Sequence, residues 1–220
     1  LLVFCKKVIL SNNLSVVAVK VWAMAEVATD VNPALLWIGS ICYSLQIFYD
    51  FSGYSDMAIG LGKIFGFEFE ENFDYPYIAK SVTEFWRRWH ISLGQWFRDY
   101  VYIPLGGSRV GILKHIMNLF VVWFLTGLWH GASWSFVLWG MVYFVLLVIE
   151  KFIVKPDKRN GVFGFLWRIV TLVCVNFGWV IFNSPGISVG IRYCIGMIGY
   201  YHTPWAVDAD LIYCLREYGV

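Results

Sequence analysis

Thirty-five consecutive residues, His115 to Ile149, contain no Lys, Arg, Asp or Glu. Two shorter intervals share the property: Val31 to Tyr49 (19 residues) and Ile169 to Ile191 (23 residues). A bilayer-crossing helix needs about 20 apolar residues, so each of the shorter intervals fits one span. The long one cannot be a single span. At roughly 1.5 Å per residue it would run about 52 Å, against a hydrocarbon core of ~30 Å. It must fold back, and Gly127, Gly131, Ala132 and Ser133 mark the expected break. Spans are therefore expected near 31–49, 115–128, 134–154 and 165–186. Composition agrees: 59% of residues are hydrophobic, 20% aromatic and only 15% charged, with mean hydropathy +0.63. A soluble domain carries about 25% charged residues. Disordered chains, disulfide scaffolds and coiled coils are excluded, and the expected class is an all-α, polytopic integral membrane protein whose solvent is the lipid bilayer. A net charge of +2 implies no nucleic-acid partner.

Basic residues set the orientation. Arg87, Arg88, Arg98, Arg109 and Lys114 precede the predicted hairpin, and Lys151, Lys155, Lys158, Arg159 and Arg168 follow it. Both flanks then face the cytoplasm, and the break points toward the outer face. The first arm of 14–16 residues spans roughly 21–24 Å, so the turn is expected to stop within the bilayer. Cys5, Cys42, Cys174, Cys194 and Cys214 form no C-x-x-C pair and read as small apolar residues, not metal ligands. Cys5-Lys6-Lys7 interrupts the first apolar run, so no cleavable signal peptide is visible. The chain begins at Leu1 without a Met and is expected to be a partial chain, a single domain over 1–220.

Residues 50–114 are different. Aromatic and charged residues alternate there, which suits an interfacial or re-entrant segment. Thr83 to Leu93 reads as one amphipathic helix, with Ser81 as N-cap three residues before Glu84. On that helix Phe85, Trp89 and Ser92 would share a face, as would Trp86, His90 and Leu93, and Arg87 would meet Glu84. An anchoring helix explains the Trp and Arg residues but not Ser55-Asp56 or Glu70-Glu71-Asn72-Phe73-Asp74. An ionisable residue at membrane depth is costly and points to function, although Asp56 could also cap a helix or pair with Lys63.

Of the four histidines, His115 reads as interfacial beside Lys114, and His202 lies in a turn. His130 sits at the break, in Thr126-Gly127-Leu128-Trp129-His130-Gly131. A buried imidazole stays neutral, as a general base must, and the glycines leave room for a substrate. No Gly-x-Ser-x-Gly elbow, Walker A loop, dinucleotide fingerprint or His-Glu-x-x-His helix is present. A histidine acting on a hydroxyl with an activated acyl group needs neither metal nor protein nucleophile. Acyl transfer, a proton relay in a transporter subunit and a non-enzymatic docking scaffold all fit these residues.

Three stretches resolve the choice by resemblance. They are Phe48-Tyr49-Asp50-Phe51-Ser52-Gly53-Tyr54-Ser55-Asp56-Met57-Ala58, Phe85 through Gly107, and Leu125 through Trp134. The sequence here resembles the membrane-bound O-acyltransferase family, and looks closest to the bacterial branch of alginate O-acetyltransferases, peptidoglycan O-acetyltransferases and D-alanyl transfer proteins for teichoic acids. The match covers residues 48–150, the expected catalytic core. It implies a helical bundle around a funnel, in a bacterial cytoplasmic membrane, with no bound cofactor. An acyl thioester, acetyl-CoA or an acyl carrier protein, would come from the cytoplasm and a polysaccharide or other polymer hydroxyl from outside. An extracytoplasmic acyltransferase partner commonly completes the transfer. The resemblance makes His130 the general base and His90 the second recurring histidine. Trp129, Asp56, Ser55, Tyr54, Arg87, Arg88, Trp89 and Ser92 become candidates for lining the site. Gly94 departs from the serine the family pattern leads one to expect.

Overall fold

Lipid offers no partner to backbone N–H and C=O groups, so a spanning segment must satisfy them within a helix. A computed structural model of the chain describes residues 2–28, 30–155, 161–201 and 209–218. In chain order its α-helices are α1 (Leu2–Cys5), α2 (Asn12–Val27), α3 (Pro33–Ile64), α4 (Val82–Arg88), α5 (Ile91–Phe97), α6 (Ile112–His130), α7 (Trp134–Val148), α8 (Val162–Asn183), α9 (Ile187–Met197) and α10 (Ala209–Tyr218). Wider π-type turns over Lys6–Ser11, Arg98–Tyr102 and Ile149–Val154 join α1 to α2 and prolong α5 and α7. Among the described residues, five helical segments are long and apolar enough to cross a membrane: Val3–Val27, Pro33–Ile64, Ile112–His130, Trp134–Val154 and Val162–Asn183. The chain is an all-α, multi-pass membrane protein. His202, Lys158 and Arg159 lie outside the described residues.

Two compact units emerge, Leu1–Ile64 with Trp179–Val220, and Phe65–Gly178. In the first, the segment Val3–Val27 is a span that the absence of charge does not reveal, because Lys6 and Lys7 interrupt it. Both lysines are paired with carboxylates on α3: Lys6 with Asp56 at 2.8 Å, and Lys7 with Asp50. The same pairing corrects two expectations. Asp56 caps nothing and does not pair with Lys63. And α3 does not stop at Tyr49 but carries residues 50–64, expected in the interfacial segment, as one helix of 32 residues. Paired with lysines, Asp50 and Asp56 lie within a helix that runs on past them. Asn32 caps its start by accepting from the Ala34 N–H at 2.8 Å. α2 and α3 approach closely at Gly39, where a Cβ would fall 2.7 Å from Val21. α9 closes the unit: Tyr193 stacks on Trp22 with ring centroids 4.4 Å apart, and its hydroxyl donates to the Leu36 carbonyl.

The second unit is built on the α6–α7 hairpin. The turn occupies only residues 131–133, since α6 runs on to His130. Gly131 turns the chain at φ 146°, and the Ser133 hydroxyl accepts from the Ser135 N–H. Gly127, expected to break the helix, lies within it. It serves the crossing instead, because a Cβ there would fall 2.6 Å from the Phe136 carbonyl oxygen, and Gly140 abuts the Trp123 carbonyl in the same way. His115 lies near the start of α6. It is buried, and its Nε2 lies 2.7 Å from the Tyr102 hydroxyl. Asn118, one turn further along α6, donates to the carbonyls of Leu105 and Gly107 and fastens the loop before the helix.

Candidate active site

The polar run 70–74 and the stretch 88–92 build one another. Asp74 N–H donates to the Arg88 carbonyl, Ile91 N–H donates to the Asn72 carbonyl, and Phe73 and Trp89 form an antiparallel bridge between these bonds. This pairing bends the expected helix into two. α4 ends at Arg88, His90 takes the left-handed conformation (φ 48°, ψ 56°), and α5 starts at Ile91. A non-glycine residue occupies that region at a cost and needs surrounding structure to hold it. The shared faces expected of a continuous helix are therefore lost. Ser81 does cap α4, accepting from the Glu84 N–H at 3.0 Å. Glu84 pairs with Arg88 at i, i+4, where the continuous helix put Arg87.

At this elbow the His90 Nδ1 lies 3.2 Å from Asn72 Oδ1. Burial pushes the His90 imidazole down to about 4. The ring is thus neutral at physiological pH, with one protonated and one basic nitrogen. The shift also makes a stability prediction. Between about pH 6.5 and 4 the unfolded chain binds a proton that the folded site refuses, so His90's share of stability is complete above pH 6.5 and falls as the pH drops through that window. Thermal melts in detergent of the parent and His90→Gln proteins should diverge in slope across that range. Parallel curves would count against the burial.

His130 ends α6 among aromatic rings. Its ring centroid lies 4.9 Å from Trp129, 5.0 Å from Trp139 and 6.1 Å from Phe136, meeting both tryptophans edge to face. Trp129 also lies 6.0 Å from the His90 ring, so one tryptophan spans the two imidazoles. The histidines are near enough for the charge of one to act on the other. Beneath them Trp86 packs edge to face on Trp123, Trp139 and Tyr143 at 4.8–5.4 Å. This cluster ties α4 to the hairpin, and Trp139 and Tyr143 are fully buried. Such rings set apolar walls with edge and face dipoles beside the half-buried imidazoles.

The other expected residues divide. Trp89 is buried in the core, stacked on Phe85 with centroids 5.7 Å apart. Arg88 bonds to Glu84 and Asp74 and holds the elbow. Arg87 is exposed, within electrostatic reach of Lys151. Ser92 donates from both its N–H and its hydroxyl to Asn72 Oδ1. Tyr54, Ser55 and Asp56 belong to the first unit, where Tyr54 is exposed, Ser55 buried and Asp56 bound to Lys6. Among the described residues no group of three or more His, Cys, Asp or Glu could hold a metal ion.

Two contributors escape a reading of the sequence. Asn72 is one. The other is Glu150, buried in the π-type turn after α7. Its carboxylate accepts from Val82 N–H at 2.7 Å, Thr83 N–H and hydroxyl at 2.8 Å each, and Trp167 Nε1 at 2.9 Å. It caps α4 from another helix and so sets where Trp86 and the elbow stand. Its only sequence signal is the first charge after a long uncharged run.

Residues 1–190 match the sequence profile of the membrane-bound O-acyltransferase family. Among curated relatives, a probable alginate O-acetylase of Pseudomonas putida is 45% identical over 192 residues, covering 86% of this chain and 38% of the relative. A peptidoglycan O-acetyltransferase of Helicobacter pylori is 37% identical, over 78% of this chain and 33% of its own length. A teichoic acid D-alanyltransferase of Bacillus subtilis is 34% identical, over 64% and 39% respectively. The chain thus spans 33–39% of the length of these relatives.

Proposed function

Because the chain belongs to the membrane-bound O-acyltransferase family, we propose that it carries the catalytic centre of an enzyme that moves an acetyl group from a cytoplasmic thioester to a hydroxyl of an extracytoplasmic cell-envelope polysaccharide. The observation that carries this reading is the meeting of two imidazoles across Trp129, at the end of a spanning helix. In the reaction His130 takes the acceptor hydroxyl proton as the hydroxyl oxygen attacks the thioester carbonyl. The tetrahedral centre then collapses, the C–S bond breaks, and the thiolate recovers the proton from the imidazolium. His90 lines the same site. The thioester is that of coenzyme A or an acyl carrier protein, and a partner outside the membrane completes delivery to the polymer. The enzyme resides in the bacterial inner membrane, as both basic flanks of the hairpin fit a cytoplasmic face.

Acetyl is preferred because identity is higher to relatives named alginate O-acetylase, at 45%, than to those named teichoic acid D-alanyltransferase, at 34%. The test is an acyl-transfer assay on membranes containing the protein, offering labelled acetyl-CoA or a D-alanyl carrier protein. Acetyl ester on polysaccharide is the expected product. D-alanyl ester alone would move the reading to teichoic acid. Proton flux in liposomes without ester formation from any thioester would replace acyl transfer by transport.

A further inference from the structure

We propose that Asn72 is a positioning residue, which fixes His90 as the Nδ1–H tautomer and thereby presents Nε2 as the basic nitrogen of that ring. The role in acyl transfer rests on the function proposed above; the tautomer does not.

Three approaches converge on Asn72 Oδ1: Ser92 N–H at 3.1 Å, the Ser92 hydroxyl at 3.0 Å and His90 Nδ1 at 3.2 Å. A side-chain amide has a donor end and an acceptor end that look alike in shape, so its orientation must come from its partners. Here one partner is decisive. A backbone N–H can only donate, so the atom facing Ser92 N is the amide oxygen. An oxygen so placed can only accept from the imidazole as well, and the proton must therefore be on Nδ1. A neutral imidazole with its proton on Nδ1 keeps its lone pair on Nε2. The order of determination runs from the fixed main chain of α5, through an amide, to the choice of basic atom. Turning the ring over would place a carbon against Asn72 Oδ1 and lose the bond.

The main chain holds the amide in register. Ile91 N–H donates to the Asn72 carbonyl at 3.0 Å, and Asp74 N–H donates to the Arg88 carbonyl at 2.9 Å. Residues 72–74 are thus locked against both sides of the left-handed residue. Gln95 adds a third point, donating to Glu70 Oε2 at 3.1 Å. These bonds give Glu70, Asn72 and Asp74 a role that an interfacial anchor leaves unexplained. A purely structural role would need only the bonds to Ser92, which cap α5. The third approach, to His90, is what reaches the chemistry.

The test reads the tautomer directly. The whole chain is labelled with ¹⁵N-histidine in lipid nanodiscs, and the His90 signals are assigned by their loss in His90→Gln. The parent should show a protonated Nδ1 and an unprotonated Nε2; a proton on Nε2 would overturn the proposal. Asn72→Leu removes the acceptor and should release the tautomer. In the acyl-transfer assay it should lower kcat roughly 10–100-fold, by analogy with the loss of hydrogen-bond partners that orient metal-bound histidines, with KM little changed. Asn72→Asp restores an acceptor and should recover both the Nδ1–H signal and kcat relative to Asn72→Leu. Unchanged tautomer and kcat in Asn72→Leu would defeat the idea. If that variant fails to fold, the parent spectrum and Asn72→Asp still decide. The expected spectrum in a protein that transfers no acyl group would count against the function and leave Asn72 in its role.

Discussion

His130→Ala is expected to lower acyl transfer by about 10²–10⁴-fold, the usual contribution of a positioned general base. The protein should still insert, because the lost ring touches α7 only near the turn, at Phe136 and Trp139, whereas the crossing of the hairpin rests on Gly127, Gly140 and the Trp86 cluster. The loss should fall on kcat. On the proposed function a thioester would meet the same tryptophan walls in the variant, so its KM should move little. His130→Gln sharpens the test by keeping a polar side chain of similar reach that cannot take up a proton near neutral pH; it should be as inactive as alanine. Polymer-bound ester is measured alongside protein retained in alkali-washed membranes. More than a tenth of parental activity in both variants, at equal membrane content, would remove His130 from the role of base.

Glu150→Ala is expected to cost at least about 3 kcal/mol of stability. The substitution strips a buried carboxylate from two N–H groups, a hydroxyl and an indole N–H. A buried donor left without a partner costs about 1–3 kcal/mol, and bonds to a charged acceptor lie at the upper end. Incomplete additivity among neighbours and entry of water bring the sum down. Glu150→Gln keeps one acceptor oxygen and should fall between alanine and the parent. Because the lost bonds fix the start of α4, melting in detergent should be accompanied by weaker transfer even where the protein remains folded. A Glu150→Ala protein that melts within about 1 kcal/mol of the parent would show that α4 is held from elsewhere.

The uncharged intervals located the α6–α7 hairpin well, because lipid penalises charge so strongly that its absence is itself a pattern. Ser81 as a cap is equally legible, since an N-cap depends on residues a few positions away. What the sequence hid is what long-range pairing decides. The Lys6–Asp56 and Lys7–Asp50 bridges join residues 50 and 43 positions apart, and they let helical segments run on through apparent stop signals. The elbow at His90 was invisible for the same reason. Locally, residues 83–93 favour a continuous helix, and only the bonds from residues 72–74 break it. The site followed suit. Both histidines stand out as candidates from their surroundings in the chain and from family likeness, whereas Asn72 and Glu150 act across 18 and 67–68 positions and left no local mark.

The lysine–aspartate pairs have a bearing on how the protein is made. Lys6 and Lys7 leave the ribosome long before Asp50 and Asp56 do, and a lysine costs about 2.5–3.5 kcal/mol on the insertion scale at the centre of a spanning helix, less toward the end where these two lie. Alone, the segment Val3–Val27 carries both of those charges unpaired. Its cargo of charge is cancelled only when α3 arrives beside it. The smallest piece of this chain that can enter the bilayer with those four charges neutralised is the helical pair, so biogenesis has reason to deliver the two helices together.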